Sequence, residues 1–150
     1  MRSADQIVQP QKVHDSHLAG LTRLVDEDRK NSPSVGAWYI GARTQNGAPH
    51  VSVITIVEST HASHEVKDLP HIQLHSPDGF EWGYGGSGPA DLALSILAHA
   101  LGNREQAKKL HQWFKWEFVR KFRFTGFQLS QAEVLAWVEA EEAKEKTASK

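Results

Sequence analysis

A glycine-rich string with polar neighbours is the part of this sequence that most resembles a small-molecule site. Residues 83–88 read GYGGSG, which fits the G-x-G-x-x-G spacing of loops that hold phosphates. Such loops bind anions through backbone N–H groups at the start of the following helix. The residues that could form a site at this glycine-rich corner are His75, Asp78, Trp82, Tyr84, Gly85, Gly86, Ser87 and Gly88.

The surroundings of the string do not complete a nucleotide fingerprint. A dinucleotide-binding helix returns to a parallel strand, whereas Gly102-Asn103 leads directly into another helical pattern. No Gly-Lys-Ser/Thr closes the string, and Pro89 removes one N–H from the helix start. We expect the glycines to form a tight turn and a close strand–helix approach. A small enzyme or ligand-binding site at the corner is the alternative.

The remaining polar residues suggest no catalytic residue, no metal and no cofactor. The chain contains no cysteine, which excludes disulfides, thiolate metal sites and cysteine nucleophiles. Its nine histidines form no H-E-x-x-H motif, and the pair His71 and His75 lacks a third ligand. Asp78 and Glu81 could act as acid and base, but a turn and a strand position explain them better.

The segment 104–124 is the second candidate for binding. It carries seven basic residues against two acidic ones. At helical spacing, one stripe contains only indoles and cations: Lys109, Trp113, Trp116 and Arg120. This stripe could stack nucleic-acid bases and bind phosphates, or contact another macromolecular partner. In the alternative, both tryptophans pack against the sheet or the third helix, with the cations over their faces.

Strand patterns precede helix patterns along the chain. The stretches AWYIGART and HVSVITIV flank Asn46-Gly47, which predicts a β-hairpin. The stretches HIQLH and FEWGY flank a Ser-Pro-Asp-Gly turn at 76–79, which predicts a second hairpin, with Phe80, Trp82 and Tyr84 on one core face. The polar segment 58–70 between the hairpins is interpreted as a connecting loop.

Three helices are predicted after the strands. The first begins near Pro89 and ends near Gly102, and the second is capped by Asn103 and runs to about Phe122. Ser130, with glutamate three residues later, predicts the start of the third. The fold class is therefore α+β, with a small antiparallel sheet of two hairpins followed by three helices packed on one face.

Length and charge set the remaining bounds. We expect one compact domain over 37–142, a polar lead-in with a weak short helix over 1–36, and a charged tail over 143–150. The net charge of −1 excludes a molecule that is basic overall. No apolar run approaches the ~20 residues of a membrane span. The start lacks the apolar stretch of a secretory signal, so we expect a cytoplasmic protein without membrane contact.

The densest motif resembles a known family. The stretch HSPDGFEWGYGGSGPADLALSIL at 75–97, followed by FKWEFVRKF at 114–122, resembles the domain of unknown function 6166 family. The resemblance runs from Trp38 to Val138. It implies a protein of bacteria, phages, plasmids or integrative elements, and it supplies no reaction. The residues that carry it are His75, Ser76, Pro77, Gly79, Phe80, Trp82, Gly83, Tyr84, Gly85, Gly86, Gly88, Pro89, Phe114, Lys115, Trp116 and Glu117.

The leading hypothesis is a non-catalytic binding protein of a mobile genetic element or phage. It would antagonise a host defence or nucleic-acid-processing complex by occupying its surface. One alternative is a nucleic-acid-binding accessory protein that uses the stripe on the second helix. The other is an enzyme or ligand-binding protein at the glycine-rich corner. Burial of Trp113 and Trp116 would exclude the stripe, and the oligomeric state stays open.

Overall fold

A β-hairpin forms the centre of the sheet. The computed structural model describes residues 36–57 and 63–148. Strand β1 (Gly36–Arg43) pairs antiparallel with β2 (Pro49–Val57), and Tyr39 lies opposite Val53. The turn between them contains Gly47 at φ +83°, as the Asn-Gly signal predicts. The short helix predicted within residues 1–36 lies outside the described residues.

Two further strands flank this hairpin. Strand β3 (Ser63–Asp68) pairs antiparallel with β2, and β4 (Gly126–Ser130) pairs antiparallel with β1. The order across the sheet is β3-β2-β1-β4. The predicted α+β class is confirmed, with a four-stranded antiparallel sheet.

The helices follow the predicted punctuation closely. They are α1 (Ser87–Leu101), α2 (Arg104–Glu117) and α3 (Gln131–Ala148), with a short 3-10 helix at Val119–Lys121. Gly102 ends α1 at φ +63°, and the Asn103 side chain accepts the backbone N–H of Gln106. Ser130 and Glu133 form the reciprocal bonds of a capping box. None of the described helices is both long and apolar enough to cross a membrane.

The predicted second hairpin is wrong. The stretches 71–75 and 80–84 form no strand, because side chains on α1 accept backbone N–H groups that a hairpin would give to a partner strand. Strand β3 lies instead within the segment predicted to be a loop. All six of its residues are exposed at the edge of the sheet, so it lacks the apolar alternation that marks a strand. Strand β4 lies between α2 and α3, where the sequence analysis placed none.

Helix α1 is the central element of the core. Every residue from Gly88 to Leu97 is buried, with Leu92, Leu94 and Ile96 fully so. The core also contains Tyr39, Val51, Val53 and Leu129 from the sheet, Phe114 from α2, and Val134 and Val138 from α3. A polar side chain on this helix must therefore find its partners inside the protein.

Candidate functional site

A buried carboxylate at the start of α1 organises the segment before the glycines. Asp91 has no exposed surface, and its Oδ1 accepts the backbone N–H of His75 at 2.8 Å. Its Oδ2 accepts the N–H of Ser76 at 3.0 Å and lies 2.9 Å from Nε2 of His71. Both oxygens also lie within bonding distance of the N–H of Leu74. The carboxylate thus fixes the path of residues 71–76.

These contacts set the charge of Asp91. Burial by itself raises the pKa of the carboxyl, but the hydrogen bonds from His71 and from the three backbone N–H groups lower it more. The net pKa of Asp91 is below its ordinary value, so the group is ionised at neutral pH. Its negative charge is therefore stabilised by hydrogen-bond donors inside the fold.

Two histidines join this segment to α2. The Nε2 atoms of His75 and His111 are 3.0 Å apart, and Nδ1 of His111 lies 2.7 Å from the carbonyl oxygen of Lys108. A carbonyl only accepts, so Nδ1 of His111 carries a proton, and in neutral His111 the Nε2 is the acceptor. The centroids of the two rings are 5.2 Å apart. This is close to the 3.0 Å between the two Nε2 atoms plus the distance from each Nε2 to the centre of its own ring, so both nitrogens lie between the two ring centres.

The two imidazoles therefore point head-on at each other. Metal co-ligation instead requires lone pairs that converge on a common point. Among the described residues, no group of three or more histidine or carboxylate side chains could hold a metal ion. We interpret the His75–His111 contact as a hydrogen bond.

A buried lysine lies between the histidine pair and the glycines. Lys115 is 7% exposed, and its Nζ donates to the carbonyl oxygen of Gly85 at 3.3 Å. Burial is the main cause of a lowered pKa at His111. The positive charges of His75 and Lys115 lower it further, against opposing contributions from the Lys108 carbonyl and Asp91. His111 is accordingly neutral at pH 7.

The glycine string lies directly beneath aromatic rings. A Cβ on Gly85 would lie 3.0 Å from Cη2 of Trp116, and one on Gly86 would collide with the ring of Tyr84. A Cβ on Gly88 would lie 2.8 Å from Cβ of Glu81. The glycines therefore permit close packing of backbone against side chains, as the architectural interpretation predicts. Aromatic rings fill the space on the Cβ side of Gly85 and Gly86.

Trp82 and its neighbours form a structural cluster. Trp82 is 1% exposed, and its Nε1–H donates to the carbonyl oxygens of Arg123 and Phe124 at 3.0 and 3.2 Å. The guanidinium carbon of Arg43 lies 4.6 Å from the centre of the Trp82 ring, and its Nη1 forms an ion pair with Oε1 of Glu81 at 2.7 Å. Glu81 is thus committed to an ion pair, which removes it as a free acid or base.

The other residues predicted for the corner are dispersed. Asp78 and Ser87 are exposed, and neither side chain hydrogen-bonds another described residue. Tyr84 is 53% exposed, although the strand pattern predicted a core position. The structure therefore brings His75 and Gly85 against α2, and it leaves Asp78 and Ser87 exposed.

The tryptophans of α2 lie on the surface. Trp113 is 68% exposed and Trp116 is 51% exposed, so the alternative in which both pack into the domain is wrong. The guanidinium carbon of Arg120 lies 5.1 Å from the centre of the Trp116 ring, and its Nε–H donates to the Trp116 carbonyl at 2.8 Å. What this stripe binds stays a prediction.

Lys109 has different surroundings from the rest of the stripe. It lines a groove between α2 and α3 with Glu105, Glu142 and Glu145. These carboxylates offset its charge. We therefore define the aromatic–basic surface as Trp113, Trp116 and Arg120, with Lys115 beneath it.

Comparison with known proteins places these features in a family. The family model described as a family of unknown function, DUF6166, matches residues 39–140, which is more than half of the chain. The chain belongs to the DUF6166 family. The resemblance predicted from sequence is confirmed. No curated protein and no solved structure is significantly similar to the chain.

Sequence reasoning missed three buried polar residues of this DUF6166 protein. The carboxylate of Asp91 holds the segment that precedes α1. His111 and Lys115 lie on the buried side of α2 at a four-residue spacing. One signal was available for Asp91, since it is the one charged residue within the apolar run from 88 to 98. For His111, the positions of Leu110 and Phe114 in the sequence carried no comparable signal that its side chain is buried.

Proposed function

We propose that this DUF6166 protein is a non-catalytic binding protein that engages single-stranded nucleic acid through the aromatic–basic surface. The observation that carries the proposal is the exposure of Trp113 and Trp116, at 68% and 51%. Positions three apart on a helix are neighbours on its surface. Two adjacent exposed indoles form a stacking platform, which accepts any base because every base has a π-face.

The charge of the segment favours a polyanion. Residues 104–124 carry seven basic and two acidic side chains, while the whole chain has a net charge of −1. Arg120 forms no ion pair with a carboxylate of the described residues, and its guanidinium lies against Trp116. A phosphate beside a base stacked on Trp116 would thus meet an available cation.

The polar groups form hydrogen bonds and ion pairs with one another inside the protein, which favours binding over catalysis. Asp91 is saturated by donors, Glu81 is paired with Arg43, and His75 bonds His111. A mobile-element setting is part of the proposal and rests on the resemblance described above. In that setting, the surface would occupy nucleic acid that a host complex otherwise processes.

Fluorescence anisotropy with labelled oligothymidine tests the proposal directly. Trp116→Ala should weaken binding by about 1–3 kcal/mol, roughly a fivefold to 150-fold rise in Kd, because each stacked base contributes about that much. Arg120→Gln should reduce the salt dependence of binding by about one phosphate contact. Leu135→Ala is the matched control, since Leu135 is an exposed apolar residue, 40% exposed, on α3.

Two results would count against single-strand recognition. One is equal affinity of the wild-type protein and Trp116→Ala for oligothymidine when both have the same unfolding transition. The other is a protein partner whose binding is lost in Trp116→Ala while no oligonucleotide binds at low salt. The second result would assign the surface to protein recognition, in which exposed tryptophan and arginine often dominate the binding energy.

A further inference from the structure

The hydrogen bond between His75 and His111 connects two separate elements. His75 belongs to the segment held on α1 by Asp91, and His111 lies on α2. The same segment continues into Tyr84 and Gly85, whose backbone carbonyl accepts from Lys115. The histidine pair therefore lies where this segment meets the helix that carries the aromatic–basic surface.

The partners of His111 determine how many protons the pair can hold. The Lys108 carbonyl fixes the proton of His111 on Nδ1, so its Nε2 accepts from His75. The amide of Gln112 lies 3.3 Å from the same Nε2 and fits the role of a second donor. A proton on His75 alone would keep the bond and make it charge-assisted. A second proton, on Nε2 of His111, places two N–H donors against each other.

We propose that the His75–His111 pair is a pH-sensitive switch that releases the segment 75–86 from α2 when both imidazoles are protonated. The inference goes beyond the proposed function, because it requires no nucleic acid. Release would separate the glycine backbone from Lys115 and Trp116, which lie against Gly85 in the closed form. The aromatic–basic surface would then lose the support of that segment.

The charges that face the pair favour opening in mild acid. Lys115, one turn along α2, repels a proton on His111, whereas Asp91 on α1 attracts one. The ammonium of Lys108 lies 3.7 Å from Glu105, and His71 is bonded to Asp91. Because the closed form has a lowered pKa at His111, the open form binds more protons below the ordinary value of 6.5. Closure is thus complete above that value and is lost as the pH falls through the lowered pKa.

Hydrogen exchange resolved by NMR measures this opening. The reporter is the amide of Gly83, which donates to the carbonyl of Val119 in the 3-10 helix that follows α2. The reference is the amide of Gly102, which donates to the carbonyl of Ala98 at the end of α1. After correction for intrinsic rates, the opening constant at Gly83 should rise about tenfold per pH unit from ~6.5 down to the lowered pKa of His111. The opening constant at Gly102 should rise more weakly over this range, because it follows only the lowered pKa of His99 and the global stability.

Replacing His75 by a neutral residue distinguishes the switch from a general loss of stability in acid. In His75→Gln, the amide group can donate to neutral His111 and, after rotation, accept from protonated His111. This variant should flatten the pH dependence at Gly83 and raise the pKa of His111, because the positive charge of His75 is removed. His50→Gln is the control, since His50 is exposed and pairs with Asp68 at 3.1 Å on the sheet.

Three results would overturn the switch. The first is equal pH dependence at Gly83 in the wild type and His75→Gln. The second is a neutral His111 that carries its proton on Nε2 in the ring-nitrogen NMR spectrum. The third is a parallel increase at Gly83 and Gly102, because that pattern reports global unfolding. Each can occur whether or not oligothymidine binds, so the switch and the proposed function fail independently.

Discussion

Replacing Asp91 by asparagine tests the most deeply buried charge of the fold. The carboxylate accepts from His71 and from the backbone N–H groups of Leu74, His75 and Ser76, and it has no exposed surface. An asparagine retains one accepting oxygen and directs an NH₂ group toward the remaining donors. Hydrogen bonds to charged groups contribute about 1.5–3 kcal/mol each, so the loss of two predicts a decrease of about 3 kcal/mol in the free energy of unfolding.

Urea denaturation followed by far-UV circular dichroism measures this loss. The slope with urea should be unchanged, which would show that the same surface unfolds in both proteins. Asp78→Asn is the control, because Asp78 is an exposed turn residue, and its effect should stay within about 0.5 kcal/mol. The difference between wild type and Asp91→Asn should shrink as the pH falls from 3.8 toward the lowered pKa of Asp91, because the unfolded wild-type chain binds a proton on this carboxyl before the folded protein does. A loss below about 1 kcal/mol at neutral pH would refute the reasoning.

Three further predictions concern other contacts. Trp82→Phe removes an N–H that donates to two backbone carbonyls, and should lower the free energy of unfolding in urea by about 1–3 kcal/mol. Gly88→Ala places a Cβ 2.8 Å from Glu81 and should cost about 1–3 kcal/mol in the same assay; Gly36→Ala, which meets nothing within 4 Å, should stay near zero. Stability should fall as the pH drops below 6.5, because burial lowers the pKa of His99, whose Nδ1 lies 2.8 Å from the hydroxyl of the buried Tyr39. His99→Gln should flatten that pH profile, and an unchanged profile would contradict the assignment.

Local signals predicted the parts of the fold that depend on local chemistry. The Asn-Gly turn, the Asn103 cap and the Ser130 capping box each satisfy backbone groups within a few residues, and all three lie where predicted. The second hairpin was wrong for the opposite reason. Its turn chemistry was sound, but a carboxylate more than ten residues later captured the N–H groups that a strand pair would use.

The candidate site was predicted in part. Its surface followed from helical spacing, since Trp113 and Trp116 are three residues apart on α2 and Arg120 follows four residues later in the 3-10 helix. The exposure of that face depends on how α2 packs, which spacing alone does not determine. The His75–His111 pair joins residues 36 positions apart in the chain, so no pattern within either segment could reveal it.

The pairing of β4 with β1 affects how the chain can fold during synthesis. Strand β1 can pair with β2 as soon as the next residues of the chain are made. Its other edge stays unpaired until Gly126–Ser130 is made, after both α1 and α2. Until then the nascent chain presents one open row of backbone donors and acceptors beside Tyr39 and Ile40. A nascent chain on a ribosome that stalls before β4 would thus be prone to intermolecular strand pairing.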